Sequence, residues 1–166
     1  MTCFGKLRSF LAVEFEELYQ EVILDHSRRP RNFGELPEAD VHIHANNPMC
    51  GDDVTVHVKF DDLGGLESVS FTGNGCSICM ASASMMTQKL KKKSRAESME
   101  LMHKFHEMLT AEQEPELDTR LGDLKLLKGV RKFPLRVKCA TLSWHALKEA
   151  LDKPREKGAH LSIEDE

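Results

Sequence analysis

The chain has 166 residues, of which 40% are hydrophobic and 30% charged, and a net charge of −4; these values predict one globular domain with its own core. It has no run of 18 apolar residues, which excludes a membrane-spanning helix, and no apolar leader with a cleavage site, so we expect a cytoplasmic protein with no membrane partner. Lysines and arginines are spread along the chain outside residues 89–93, which argues against nucleic acid as a partner.

The first predicted element is a helix over residues 13–27, where apolar side chains recur every three or four residues. Three strands follow, because apolar and polar residues alternate around residues 41–43, 54–60 and 68–71. The segment at residues 61–65 is typical of a turn, so the second and third strands should be antiparallel. Three histidines fall on the polar face of these strands, where we expect them to be exposed: His42, His44 and His57.

The rest of the chain is predicted to be mainly helical. One helix covers residues 77–92 and follows a glycine-rich turn. A second helix, ending near residue 109, begins with a capping box formed by Ser94 and Glu97. The last helix covers residues 134–151 and opens with a proline, which suits the first turn of a helix.

This order of elements predicts an α+β fold, in which a three-stranded antiparallel sheet carries helices packed on one face. We assign residues 15–152 to the folded domain. Residues 1–14 are an N-terminal extension. Residues 153–166 are predicted to be a polar, disordered tail, because they hold too few apolar side chains to build a core.

Cysteine usage indicates metal binding or thiol chemistry, since five cysteines are a poor basis for a disulfide framework. Cys50 lies in a turn before the second strand, Cys76 at a helix N-terminus, and Cys139 in the first turns of the last helix. Such boundaries allow distant segments to meet, and a helix N-terminus favours the thiolate. With Asp52, these thiols would form a tetrahedral Zn²⁺ site. The alternative is that they are buried as small apolar side chains.

Neighbouring residues leave further alternatives open. Cys76 and Cys79 form a Cys-x-x-Cys motif at the start of a helix, which also occurs in redox dithiols, although no βαβ unit frames it here. Cys79 could also replace one of the four ligands. His145, on the last helix, is a less suitable ligand. Zn²⁺ with four anionic ligands is negatively charged, so Arg136 and Lys138 are suitable cations for its surroundings.

Four segments of the chain, in order, resemble the iron–sulfur scaffold family that includes IscU and the NifU N-terminal domain. They are LYQEVILDHSRRPRNFG at residues 18–34, NPMCGD at 47–52, FTGNGCSICMASASMM at 71–86 and FPLRVKCATLSWH at 133–145. The resemblance is greatest to the SufU branch. Lys138 stands where IscU-like members carry a histidine, and residues 89–120 look like the extra segment of SufU.

The resemblance implies a SufE/NifU-like α+β fold and a site that holds Zn²⁺ or, alternatively, a [2Fe–2S] cluster. The implied metal ligands are Cys50, Asp52, Cys76 and Cys139. The implied function is zinc-dependent sulfur transfer in iron–sulfur cluster assembly, by a carrier rather than a stand-alone enzyme. Cys50 would accept persulfide sulfur from a pyridoxal-phosphate-dependent cysteine desulfurase of the SufS type, with Arg136 as a second catalytic residue. Downstream cluster assembly proteins would be further partners. The alternative function is a scaffold for a [2Fe–2S] cluster.

Overall fold

The computed structural model describes residues 19–152 and 159–162. Its first helix, α1, covers residues 19–28 and ends before Pro30, since a residue preceding proline is disfavoured in the helical conformation. The part of the first predicted helix that falls within the described residues is therefore confirmed. The predicted extension over residues 1–14 lies outside the described residues and stays a prediction.

The predicted antiparallel sheet is present and consists of β1 Val41–Asn47, β2 Asp52–Phe60 and β3 Leu66–Asn74. The apolar side chains of each strand are buried on one side of the sheet, as their alternation predicts, except for Phe60 at the end of β2, which is half-buried. The turn between β2 and β3 is held by Asp61, whose Oδ1 accepts hydrogen bonds from the N–H groups of Leu63 and Gly65 at 2.9 and 2.8 Å. The α+β class is therefore confirmed.

A fourth strand, β4 Ala159–Ser162, pairs in parallel with residues 43–46 of β1, so the strand order is β3-β2-β1-β4. The prediction of a disordered tail over residues 153–166 is wrong for this strand. The outer edge of β1 offers backbone N–H and C=O groups that need partners, and a polar segment can satisfy them through its own backbone. Residues 159–162 do alternate between apolar and polar side chains, which is a strand signal, but the prediction of disorder was based on the low apolar content of the whole tail.

The helical elements are α2 Ser77–Leu90, α3 Arg95–Thr110, a 3₁₀ segment Thr119–Lys132 and α4 Pro134–Asp152. Both halves of the predicted capping box are present, because Glu97 N–H donates to Ser94 Oγ at 3.2 Å and Ser94 N–H donates to Glu97 Oε2 at 3.1 Å. The 3₁₀ segment was not predicted, and it kinks at Gly122, where φ is 56°. Within the described residues no helix is long and apolar enough to cross a bilayer.

Helices α2 and α4 lie side by side on the sheet. One face of α4 is buried and carries Cys139, Leu142, Ala146 and Ala150. Residues 81–84 of α2 are small and buried, which allows α4 to approach closely. Ser82 then joins the two helices, because its hydroxyl donates to Ala140 O at 2.5 Å and accepts from Trp144 Nε1 at 2.9 Å. This packing brings the first turns of α2 and α4 to the β1–β2 loop.

One histidine of the polar sheet face differs from its prediction. His42 is exposed, as expected, whereas His57 is only 6% exposed. His57 lies on the central strand between polar neighbours, with Nδ1 2.6 Å from His42 Nδ1 and Nε2 2.9 Å from Thr72 Oγ1. Alternation predicts on which face of the sheet a residue lies, but side chains on both neighbouring strands determine whether it is exposed to solvent.

Candidate metal centre

Three potential ligands meet where the β1–β2 loop approaches the start of α4. One ligand atom each from Cys50, Asp52 and Cys139 lies within 4.8 Å of the other two. Cys50 is in the loop, Asp52 begins β2, and Cys139 lies in the second turn of α4. Gly51 has a φ of 69°, and this left-handed conformation lets the chain reverse between Cys50 and Asp52.

Cys76, the fourth predicted ligand, borders this group without belonging to the three. It is the N-cap of α2, and its backbone N–H donates to Asp52 Oδ1 at 2.8 Å. Its Sγ lies 3.9 Å from Asp52 Oδ2 and accepts a hydrogen bond from Cys79 N–H at 3.4 Å. The Cys139 thiol is also near enough to affect the pKa of Cys76. The structure therefore places Cys76 beside Asp52 and Cys139.

These contacts shift the pKa values of the Cys76 and Cys139 thiols in opposite directions. The Cys139 thiol lowers the pKa of Cys76 to about 6, with a further contribution from Cys79 N–H. Cys76 in turn raises the pKa of Cys139, and burial adds to the increase. The exposed guanidinium of Arg136 lies beside both sulfurs, and the negative charge of Cys76 raises the pKa of Arg136. Of the two thiols, Cys76 therefore has the lower pKa.

The donor set fits a thiophilic metal ion. Asp52 is 1% exposed, and its oxygens face the Cys76 N–H and neighbouring sulfurs. A buried carboxylate beside a thiolate is costly unless positive charge compensates it, and a bound cation would supply that charge. Thiolates with one carboxylate suit tetrahedral Zn²⁺, and thiolates also hold iron–sulfur clusters. Asp52 and Cys139 are buried, whereas Cys50 is partly exposed.

The alternative ligands lie in different places. Cys79 is fully buried next to Cys76, and burial, followed by the Asp52 charge, raises the pKa of its thiol. His145 lies elsewhere, because it faces α3 across a cavity of about 440 Å³ and its ring centroid is 6.0 Å from that of His106. Lys138, which the sequence suggested as a cation for the surroundings of the site, is half-buried.

Sequence reasoning missed two groups that contact the sulfurs. Asn47 is 2% exposed and its Nδ2 lies 3.9 Å from Cys139 Sγ, although 92 residues separate them. The carbonyl oxygen of Leu135 lies 3.5 Å from Cys139 Sγ and 3.9 Å from Cys50 Sγ. Asn47 is the first residue of the NPMCGD segment, so the sequence alone shows that it is close to Cys50 along the chain. Its contact with Cys139 depends on tertiary structure.

Comparison with known proteins identifies the family. The family described as NifU-like N terminal domain matches residues 18–140. The chain belongs to this family. As a NifU-like domain of the SufU type, it is a member of a family that acts in iron–sulfur cluster assembly.

Two relatives carry different names. The chain is 45% identical over 140 residues to the zinc-dependent sulfurtransferase SufU of Bacillus subtilis (strain 168), covering 83% of this chain and 92% of that protein. It is 44% identical over 140 residues to the iron–sulfur cluster assembly scaffold protein IscU of Streptococcus pyogenes serotype M1, covering 84% and 86%. The crystal structure of a protein assigned as a scaffold protein for the SUF system, from Fervidobacterium islandicum AW-1, superposes with a TM-score of 0.72 at 32% identity, covering 79% of this chain and 94% of that one.

Proposed function

We propose that this NifU-like domain is a zinc-dependent sulfurtransferase that accepts persulfide sulfur from a pyridoxal-phosphate-dependent cysteine desulfurase. The observation that carries the proposal is the convergence of Cys50, Asp52 and Cys139, in which Cys50 is the partly exposed member. A partner protein can therefore reach the Cys50 sulfur, while the side chains of Asp52 and Cys139 stay buried. Exposed Met49 and Leu135 flank it and offer apolar surface to a protein partner.

In the proposed site, Asp52, Cys76 and Cys139 would hold Zn²⁺ together with Cys50. Bound to the ion, these thiols would stay deprotonated and be less open to oxidation. For transfer, the Cys50 thiolate attacks the outer sulfur of the donor persulfide. The donor sulfur–sulfur bond breaks, the donor cysteine leaves as a thiolate, and Cys50 carries the persulfide.

Arg136 suits a role in binding the incoming sulfur. A persulfide is anionic near neutral pH, and the exposed guanidinium of Arg136 already lies beside the sulfurs of Cys76 and Cys139. We therefore assign Arg136 to orienting the persulfide during transfer. Asn47 would orient the Cys139 sulfur through its amide.

The test is desulfurase turnover of L-cysteine with and without this protein. We expect strong stimulation by the wild-type protein and none by Cys50→Ala. Cys3→Ser, which changes a cysteine outside the described residues, is the matched control and should stimulate like wild type. Full stimulation by Cys50→Ala would contradict the assignment of Cys50 as acceptor.

The second candidate function is a scaffold for a [2Fe–2S] cluster at the same four residues. The 44% identity to a relative named IscU scaffold protein favours it. Metal and acid-labile sulfide content after purification without oxygen separates the two functions. About one zinc per chain without iron supports sulfur transfer. Iron with labile sulfide, together with little desulfurase stimulation, supports the scaffold.

A further inference from the structure

We infer that His42 and His57 form a binding site for a divalent transition-metal ion, separate from the cysteine site. The two residues are direct cross-strand partners of β1 and β2 and lie on the polar face of the sheet. His57 follows Asp52 by five residues on β2, which is about 17 Å at the rise of an extended strand. The inference therefore stands apart from the proposed function, and each can fail without the other.

The ring nitrogens of the two histidines are too close to be independent. His42 Nδ1 lies 2.6 Å from His57 Nδ1, and the rings meet edge to face with their centroids 4.9 Å apart. At this distance two lone pairs would repel each other and two N–H groups would collide. Either one shared hydrogen or one metal ion must therefore lie between the two nitrogens, and the surroundings of the pair favour the metal ion.

The surroundings of His57 prepare its ring as a metal ligand. Nε2 lies 2.9 Å from Thr72 Oγ1, and when Nε2–H donates to that oxygen, the free lone pair of the ring is on Nδ1, which faces His42. A metal-bound histidine usually has this arrangement, because a hydrogen bond to the other nitrogen fixes the ring and its tautomer. Burial and the neighbouring His42 also lower the pKa of His57, which favours the neutral form that binds metal.

His42 supplies the second nitrogen from an exposed side chain. Two nitrogens that bind one ion at about 2.0–2.1 Å in tetrahedral geometry lie about 3.3 Å apart, so the rings have to separate by less than about 1 Å. An exposed ring can turn by that amount, and solvent can complete the coordination of the ion. The carboxylate of Glu35 is near enough for its negative charge to act on His57, and it would offset part of the charge of the ion. Imidazole nitrogens suit Zn²⁺, Ni²⁺ and Cu²⁺.

His44 lies on the same strand face, two residues from His42, and offers a matched control. Its Nε2 lies 2.8 Å from Asp53 Oδ1, so its ring is held by a carboxylate instead of by the histidine pair. A second control is His106 of α3, whose ring contacts that of His145 with centroids 6.0 Å apart. Binding that depends on any surface histidine would be lost in these controls too.

Calorimetric titration of Ni²⁺ into zinc-loaded protein without an affinity tag tests the site. We expect one Ni²⁺ ion to bind the wild-type protein and none to bind His42→Gln, which changes an exposed residue and should stay folded. Thr72→Val should bind Ni²⁺ about 10–100-fold more weakly, the usual loss when a group that orients a metal ligand is removed. His44→Gln and His106→Gln should bind it like wild type. In NMR spectra, the ring signals of His42 and His57 should broaden first, because Ni²⁺ is paramagnetic.

Equal Ni²⁺ binding by wild type and His42→Gln would overturn the inference and leave the pair as a cross-strand hydrogen bond. Loss of binding in His44→Gln or His106→Gln, with binding kept in His42→Gln, would overturn it by placing the ion elsewhere. Wild-type affinity in Thr72→Val would contradict His57 as a ligand that Thr72 orients. Zinc content is measured before and after the titration. A protein that retains no zinc would contradict the cysteine site, but the comparison of wild type with His42→Gln would still decide the histidine site.

Discussion

Replacing Gly75 by alanine should weaken zinc binding and leave the fold intact. The added methyl group would lie 2.8 Å from Asp52 Oδ1, 3.1 Å from Cys79 Sγ and 3.2 Å from Cys79 Cβ. Distances below 3.0 Å are not tolerated by real Cβ atoms, so something must shift. The Asp52 carboxylate is the end of a side chain and can rotate, whereas the Cys79 Cβ is fixed by α2. We therefore expect the carboxylate to move.

Rotation takes Asp52 Oδ1 away from the Cys76 N–H, which now donates to it at 2.8 Å. A hydrogen bond to a charged group contributes about 1.5–3 kcal/mol, and the metal-free protein should lose about that much unfolding free energy. This is less than the typical stability of about 5–15 kcal/mol, so the protein should stay folded. Zinc affinity should fall about 10–100-fold, the usual effect of disturbing a group that orients a metal ligand.

Two measurements check this prediction: zinc competition with a chelator, and urea unfolding of the metal-free protein followed by circular dichroism. Gly129→Ala is the matched control, because a methyl group there would have no neighbour within 4 Å. It should bind zinc like wild type. Wild-type zinc affinity in Gly75→Ala would refute the reasoning, since it would mean that the position of the Asp52 carboxylate does not matter to the metal.

Two further predictions concern stability. Gly73 has a φ of 125°, and a methyl group there would collide with the carbonyl oxygen of Asp53. The free energy of unfolding of Gly73→Ala should therefore fall by more than the roughly 1–3 kcal/mol that backbone strain alone costs. An unchanged midpoint of urea unfolding would contradict this. His26 is 5% exposed, with Nδ1 2.7 Å from Ser84 Oγ, and burial lowers its pKa. Since the unfolded state binds the proton more readily, stability should fall by up to about 1.4 kcal/mol per pH unit as pH drops below about 6.5. His26→Gln should reduce this slope in unfolding curves between pH 7.5 and 5, and an equal slope would exclude His26 as its source.

Local patterns were sufficient for most of the elements. Alternation of apolar and polar residues predicted β1, β2 and β3, because each strand has one face on the core. Ser94 and Glu97 predicted the start of α3, because a capping box depends only on residues three apart. Such patterns predict an element correctly where the residues that stabilise it lie within the same short segment.

Features that depend on neighbours were missed. β4 pairs with the free edge of β1. Its residues 159–162 alternate between apolar and polar side chains, but so short a pattern does not reveal which edge the strand would join. His57 is buried by side chains of the two flanking strands. In both cases the determining partner lies elsewhere in the chain.

The candidate site shows the same division. Residue type and local context made Cys50, Asp52, Cys76 and Cys139 candidates, because segment boundaries allow distant side chains to meet, but burial as small apolar side chains stayed an alternative until the resemblance implied the full ligand set. Their roles as ligands stay predictions. Which atoms approach one another depends on how α2 and α4 pack against the sheet: the Leu135 carbonyl meets a sulfur 85 residues away, and the Asn47 amide meets one 92 residues away. Spacing along a chain does not encode such distances, because burial of the shared core brings these segments together.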